Sequence, residues 1–432
     1  MKISNKHTLY LSIYAFCVIF CPPIIPRFDI VLIGFSGMMI FFKYRSRFIS
    51  AVFKSGIATW VKLMVGLACY VALIPLPLSA FFYNDVVQVG HYISLVNRYG
   101  LMTIAVIVCG SYFFMELQRN EYDFSGFLKV IFYAGAIEST CCVLSLMFPR
   151  VKNLFVSLML ANTGSELYQN TWYITVRAYG FSNTLVDLFG LGISVIASSC
   201  LLYGVFKEKK FIFLSIYISI ATALNSRTGL LIYLLCACLV VIYMMFTGSL
   251  KKFLVGVMVL ALAVSGFNIL MNSNILDEAT KGWIEAGFES VYDLIETGKA
   301  ESDSLGVLFQ DSWWELQKGI RLLFGTGHSR YGANGYTHTD VGYVNEIWLF
   351  GVIGVCVLYI SIAFLIWKYS FKWKDRLVNC IGIILFVEYF AFNVKAVALG
   401  YNPGAMSILL ILFGIKFFFE KKEKGRKGSV QI

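Results

Sequence analysis

Apolar residues in this chain come in long runs separated by short polar stretches, and the run length decides the reading. A helix rises 1.5 Å per residue, so about 20 apolar residues cross about 30 Å of hydrocarbon. Runs near that length fall at 8–25, 28–43, 57–80, 100–116, 126–148, 184–206, 211–225, 227–247, 253–271, 343–367, 377–398 and 401–419. The pattern predicts an all-α polytopic membrane protein of about twelve transmembrane helices, a single integral membrane domain over 1–432. Lys2 and Lys6 precede the first run as in a secretory signal, but Pro22 and Pro23 follow it with no small-residue cleavage site, so a retained first helix is expected.

Two polar stretches are long, 149–183 and 272–342, and both are rich in aromatic residues, which argues against disorder. The second is expected to hold short amphipathic helices. Ile284, Phe288, Val291 and Ile295 recur at helical spacing, as do Trp313, Leu316, Ile320 and Leu323. Asp277 and Asp311 suit helix starts, and Gly298 and Gly325 suit stops.

Composition strengthens the membrane reading: 58% of residues are hydrophobic, 14% are charged, and mean hydropathy is +0.73. With the N-terminus inside, the cytoplasmic segments collect about 23 Lys and Arg against about 12 in the longer outside loops, as the positive-inside rule requires. The net charge of +11 is thereby spread over many short loops and a basic cytoplasmic tail at 420–432, which leaves no basic face for nucleic acid. The tail reads as an orientation signal with some attraction to anionic membrane lipid. All 11 cysteines fall within or at the edges of apolar runs, so no disulfide framework is expected in the outside loops.

Charges placed at the apolar runs are the candidates for chemistry. Arg227, in "ALNSRTGLLIYLL", joins two runs with almost no loop between them, and a guanidinium there either snorkels to headgroups or captures a phosphate or diphosphate. Arg177, in "TVRAYGFSNTLVD", ends the first long loop, with Gly180 and Asn183 to turn the chain, and suits the same anion; a solvated loop charge is the other reading. Arg321 and Arg330 are weaker candidates for that role. His338 and Asp340 stand just ahead of the run that starts near Gly342. A neutral imidazole there is a natural base for a sugar hydroxyl, with Asp340 or Glu346 to orient it or replace it. His328, after Gly327, reads as a turn residue. The spacing of these groups provides no closed metal site, and no cofactor is expected. Glu138, Asp187 and Glu388 interrupt apolar runs and mark cavities or partners, which keeps a proton-coupled transporter open.

The ordering of "RAYGFSN", "NSRTGLL", a large late loop closing on "LFGTG", then "HTDVGY" and "WLFGVIG" resembles the O-antigen polymerase and ligase superfamily of bacterial envelope glycosyltransferases. The resemblance covers nearly the whole arrangement. It implies a GT-C-like fold in the bacterial inner membrane, with both long loops and the active site facing the periplasm. The implied substrate is an undecaprenyl-diphosphate-linked oligosaccharide, with no nucleotide sugar or required metal, and the implied partners are a chain-length regulator and a flippase. On this resemblance Arg177 and Arg227 hold the diphosphate, and His338, with Asp340 or Glu346, positions or deprotonates the attacking hydroxyl. The ligase branch typically carries Asn directly after its loop histidine, whereas Thr339 and Asp340 follow His338 here, which favours a polymerase. The arginine that many relatives carry before the loop Trp is replaced by the Gln310–Asp311 neighbourhood. A ligase acting on lipid A-core and a flippase or transporter are the alternative functions.

Overall fold

The computed structural model describes residues 5–82, 96–163, 177–184, 186–247, 311–327 and 339–428, with isolated positions between 254 and 285. All regular structure among those residues is helical, with no strand among them. The helices are α1 Asn5–Phe20, α2 Phe28–Met39, α3 Arg45–Ser55, α4 Ile57–Leu73, α5 Pro75–Phe82, α6 Leu101–Ala105, α7 Ser111–Arg119, α8 Phe124–Met147, α9 Pro149–Thr163, α10 Val186–Phe206, α11 Lys210–Asn225, α12 Arg227–Thr247, α13 Ile320–Phe324, α14 Gly342–Ser370, α15 Arg376–Phe392 and α16 Pro403–Gly428.

Seven helical segments among the described residues are long and apolar enough to cross a membrane: Ile57–Leu78, Arg98–Arg119, Phe124–Met147, Leu188–Phe206, Arg227–Phe246, Gly342–Ser370 and Pro403–Glu420. Lys6–Phe20 and Lys210–Asn225 are apolar but shorter. The chain is therefore a helical protein suited to multiple membrane passes. Large apolar side chains point outward, with Phe246 85% and Leu73 74% exposed, as lipid-facing surfaces require. The run at 253–271 and the helix expected around Ile284 to Ile295 lie outside the described residues apart from isolated positions, as do Asp277 and Gly298.

Two local expectations change. The stretch expected as a loop from 149 begins with α9, because its Lys and Arg are confined to the first turn and Leu154, Phe155, Val156 and Met159 continue helically behind them. The periodic stretch from Trp313 to Leu323 does not form one helix. It is a single turn at Asp311–Trp313 and the five-residue α13, divided by Gly319 at φ 64° and ψ −138°. Trp313 and Leu316 still pack onto Val341, Val344 and Trp348 without helical geometry, and Gly325 does end α13.

The chain divides into two compact units. The first comprises 1–31, 125–302 and 402–407, and the second 32–124, 303–401 and 408–432. In the first, α10 is the core helix, and small residues allow close packing against it. A Cβ on Gly229 of α12 would lie 2.9 Å from Gly190 backbone atoms, and a Cβ on Gly204 2.6 Å from the Ile212 nitrogen of α11. Ser215 Oγ donates to the Ala197 carbonyl at 2.7 Å. Small residues and buried hydroxyls are how helices associate where lipid removes the hydrophobic driving force.

In the second unit α14 is broken. Gly351 adopts φ 66° and ψ 172°, so its carbonyl ladder is interrupted in mid-span. The freed carbonyls of Trp348, Leu349 and Phe350 accept from Thr326 N (2.8 Å), Gly327 N (3.1 Å) and Tyr70 Oη (2.8 Å) respectively. The segment 325–327 thus lies along the break and satisfies groups that would each cost several kcal/mol in hydrocarbon, on the order of a lost buried amide bond.

Candidate functional site

In the first unit the chemistry gathers around the start of α12. Ser226 leaves α11 in an extended conformation (φ −145°, ψ 109°). Its Oγ accepts from Gly229 N at 3.0 Å, and its carbonyl accepts from Leu230 N at 3.0 Å, which makes it the N-cap of α12. Arg227 is then the first residue of a 21-residue helix, at the end that carries partial positive charge. It is half-buried.

Arg177 arrives there from the other side. The segment "RAYGFSN" is non-helical, and three contacts fix it. Ala178 N donates to the Leu224 carbonyl (3.4 Å), and Asn183 N and Ser182 Oγ both donate to the Phe20 carbonyl at the end of α1 (3.0 and 3.1 Å). Gly180 lies directly on Glu138 of α8, where a Cβ would overlap the carboxylate. Asn225 Nδ2 reaches Cys142 Sγ of the same helix at 3.4 Å. Arg177 is 7% exposed, and its charge is near enough to Arg227 for the two to repel. Two arginines expected to share an anion are therefore brought together, on a helix N-terminus suited to anions. Such a site fits a phosphate or diphosphate, since each guanidinium supplies a planar fork of donors.

The acidic candidate is in the second unit. Glu346, on the first half of α14, is fully buried. Tyr359 Oη, on the half beyond the break, donates to Glu346 Oε2, and Oε1 has no hydrogen-bond partner among the described residues. Tyr343 and Tyr389 pack against Tyr359, with ring centroids 5.5 and 6.2 Å from its own. Tyr99 and the positive Arg98 are close enough to act on the carboxyl electrostatically. The arrangement presents one carboxyl oxygen able to accept a proton or a hydrogen bond.

Asp340 is half-buried, two residues ahead of α14. The segment carrying it is held by Asn345, whose Nδ2 donates to the carbonyls of Thr339 (2.9 Å) and Val341 (3.1 Å). Thr339 Oγ1 in turn accepts from Val341 N at 3.2 Å. Arg321 lies in α13, and its carbonyl accepts from Gly325 N at 2.8 Å. His328, Arg330 and His338 lie outside the described residues. Of the apolar-run acids, Glu138 and Glu388 are fully buried, and Asp187 falls in α10 with its side chain outside the description. No three His, Cys, Asp or Glu side chains come together as a metal-ligand set among the described residues.

Residue-type reasoning overlooked Ser226, Asn345 and Tyr359. Ser226 carried a signal, since a serine just ahead of an apolar run is a cap position. Asn345 and Tyr359 carried none, because their partners are set by the helix start and the helix break. Compared with protein-family models, with curated proteins and with solved structures, the chain matches none.

Proposed function

We propose that the protein is a membrane glycosyltransferase that polymerises lipid-linked oligosaccharide repeat units. It transfers a growing glycan from undecaprenyl diphosphate onto a new lipid-linked repeat at the periplasmic face of the bacterial inner membrane, within a GT-C-like arrangement of about twelve spans. The observation that carries this reading is the meeting of Arg177 and Arg227 at the capped N-terminus of α12. Two guanidinium groups that repel one another are well matched to a dianion placed between them.

In this mechanism the sugar's anomeric carbon loses the diphosphate as an acceptor hydroxyl attacks. Negative charge grows on the departing phosphate oxygen, and the preorganised arginines act on that charge. The acceptor's proton passes to a base beside the late loop. His338 is the first choice, Asp340 stands on the segment that Asn345 holds, and Glu346 has a buried oxygen without a hydrogen bond near the head of α14. Arg321 and Arg330 remain candidates for substrate phosphates or sugars, and a chain-length regulator and a flippase are the expected partners.

The test uses purified protein and synthetic lipid-linked repeats. The unmodified protein is expected to build a ladder, and Arg227→Ala or His338→Ala to leave single repeats. Undiminished ladders from both variants overturn the assignment. In cells, deletion leaving core plus one repeat supports a polymerase, and bare core with accumulated lipid-linked polymer indicates a ligase. A transporter is favoured instead by the buried carboxyls Glu138 and Glu388, and it predicts that purified protein forms no glycosidic bond.

A further inference from the structure

The segment between α2 and α4 is neither a span nor a simple loop. α3 has eleven residues, Arg45–Ser55, and so covers about 16 Å, about half the hydrocarbon thickness. Both of its ends bend. Tyr44 leaves helical geometry at φ −130° and ψ 12°, and Gly56 follows at φ 87° and ψ 2°. Gly56 is fixed there by its neighbours, since a Cβ would lie 2.5 Å from Tyr369 Oη and 2.8 Å from Lys416 Cδ. Lys416 Nζ donates to the Phe53 carbonyl at 3.2 Å.

At about 100° per residue the side chains of α3 sort into three sectors. Ala51 and Ser55 are buried, with Phe48 and Val52 half-buried beside them, and this sector packs on the protein. Next to it Ile49 and Phe53 are 67% and 61% exposed. The remaining arc carries Ser46, Arg47, Ser50 and Lys54, all exposed, while exposed Arg45 opens the helix between the directions of Val52 and Ile49. Just upstream Phe42 is 80% and Phe41 61% exposed, and the Arg45 guanidinium lies 5.7 Å from the Phe41 ring centroid.

No single solvent suits all three sectors. Water leaves Phe42, Ile49 and Phe53 unfavourably wet, and hydrocarbon leaves Arg47 and Lys54 unpaired. The membrane boundary satisfies both, with the apolar sector among acyl chains and the cations at headgroup depth. The charge is one-sided, because residues 40–55 contain no acid. Nearby acids among the described residues are engaged elsewhere: Glu116 pairs with Lys43 (2.5 Å) and Glu420 with Lys416 (4.0 Å).

We propose that α3 is an interfacial helix that binds anionic phospholipid headgroups through Arg45, Arg47 and Lys54, with Ile49 and Phe53 inserted among the acyl chains. The proposal is independent of any glycan chemistry. Its test places the full-length protein in nanodiscs of mixed phosphatidylglycerol and phosphatidylcholine and measures which lipid is co-retained, by native mass spectrometry after release. Phosphatidylglycerol is expected to be enriched. The variant Arg45→Gln/Arg47→Gln/Lys54→Gln is expected to lower that enrichment tenfold or more, on the order given by three interfacial cations. Lys207→Gln/Lys209→Gln/Lys374→Gln removes the same charge from other exposed positions and is expected to retain it. Enrichment that survives in the α3 variant, or falls equally in both variants, overturns the proposal. A second reading needs no mutation: enrichment in the unmodified protein must weaken as salt is raised to about 1 M, where the Debye length is about 3 Å. Salt-insensitive enrichment also overturns it.

Discussion

Replacing Gly351 by alanine tests whether the break in α14 is built into the fold. Gly351 has φ 66° and ψ 172°, a region that is almost exclusively glycine's and costs a side-chain-bearing residue about 1–3 kcal/mol. The added Cβ would also overlap the Gly325 nitrogen, the Leu323 carbonyl oxygen and the Phe324 carbonyl carbon, all of them backbone atoms that cannot swing aside. Overpacking of that kind adds about 1–3 kcal/mol. The sum, about 2–6 kcal/mol, is expected as a clear fall in apparent melting temperature in detergent, followed by tryptophan fluorescence at one fixed scan rate. Gly66 provides the control. It lies in the helical Ile57–Leu73 segment, exposed, with nothing within 4 Å of where a Cβ would stand, so alanine there gains helix propensity worth up to about 1 kcal/mol. The same chemical change is thus expected to act in opposite directions at the two sites. A Gly351→Ala protein that melts at or above the unmodified one would refute the argument that segment 325–327 and the break are mutually fitted.

Other expectations follow from single contacts. Asn345→Ala removes two hydrogen bonds worth together about 1 kcal/mol in a membrane protein; polymerisation is expected to fall more than melting temperature, because the bonds hold the segment ahead of α14. Glu346→Gln preserves size and replaces the ionisable carboxyl by an amide, so a lower polymerisation rate with unchanged retention of lipid diphosphate is expected if Glu346 accepts the proton, and an unchanged rate rules it out. Arg227→Lys keeps charge without the planar fork, and is expected to recover only part of the activity lost in Arg227→Ala. Lys129, with Tyr203 and Lys210, holds the Glu208 carboxyl below its ordinary value of 4.5. Its folded value being the lower one, the stabilisation is complete above about pH 4.5 and disappears as acid titrates the folded carboxylate. Glu208→Gln should flatten the melting temperature over that acidic window, and an unaltered pH profile counts against the pairing.

Much of the helical layout was legible because lipid imposes a length. The run at 57–80 corresponds to Ile57–Leu78, 126–148 to Phe124–Met147 and 343–367 to Gly342–Ser370. The interruptions were not legible, since they rest on contacts between distant segments. "WLFGVIG" reads as uninterrupted helix, and only the approach of Gly325 and its neighbours from the late loop explains why the ladder opens at Gly351. The stretch from Trp313 to Leu323 has the opposite history. Its apolar spacing is helical, but Gly319 adopts a positive φ and the apolar side chains pack on α14 without the helix.

For the candidate site, sequence reasoning identifies which charges are unfavourable where they stand, and only geometry distinguishes what each placement serves. Lys43 and Glu116 lie 73 positions apart and meet at 2.5 Å as opposite charges, so each relieves the other and the pair is structural. Arg177 and Arg227 are brought together in the same manner, through Ala178 and the Leu224 carbonyl, yet they meet as like charges at a helix end that is itself positive. Burial in an apolar protein makes the second arrangement less favourable as it strengthens the first. An N-cap serine, a glycine laid on Glu138 and two hydrogen bonds to the Phe20 carbonyl hold two guanidinium groups within electrostatic reach, which is the arrangement that the proposed diphosphate site requires. The sign of the neighbour, which no spacing along the chain reveals, separates the Arg177 and Arg227 pair from Lys43 and Glu116.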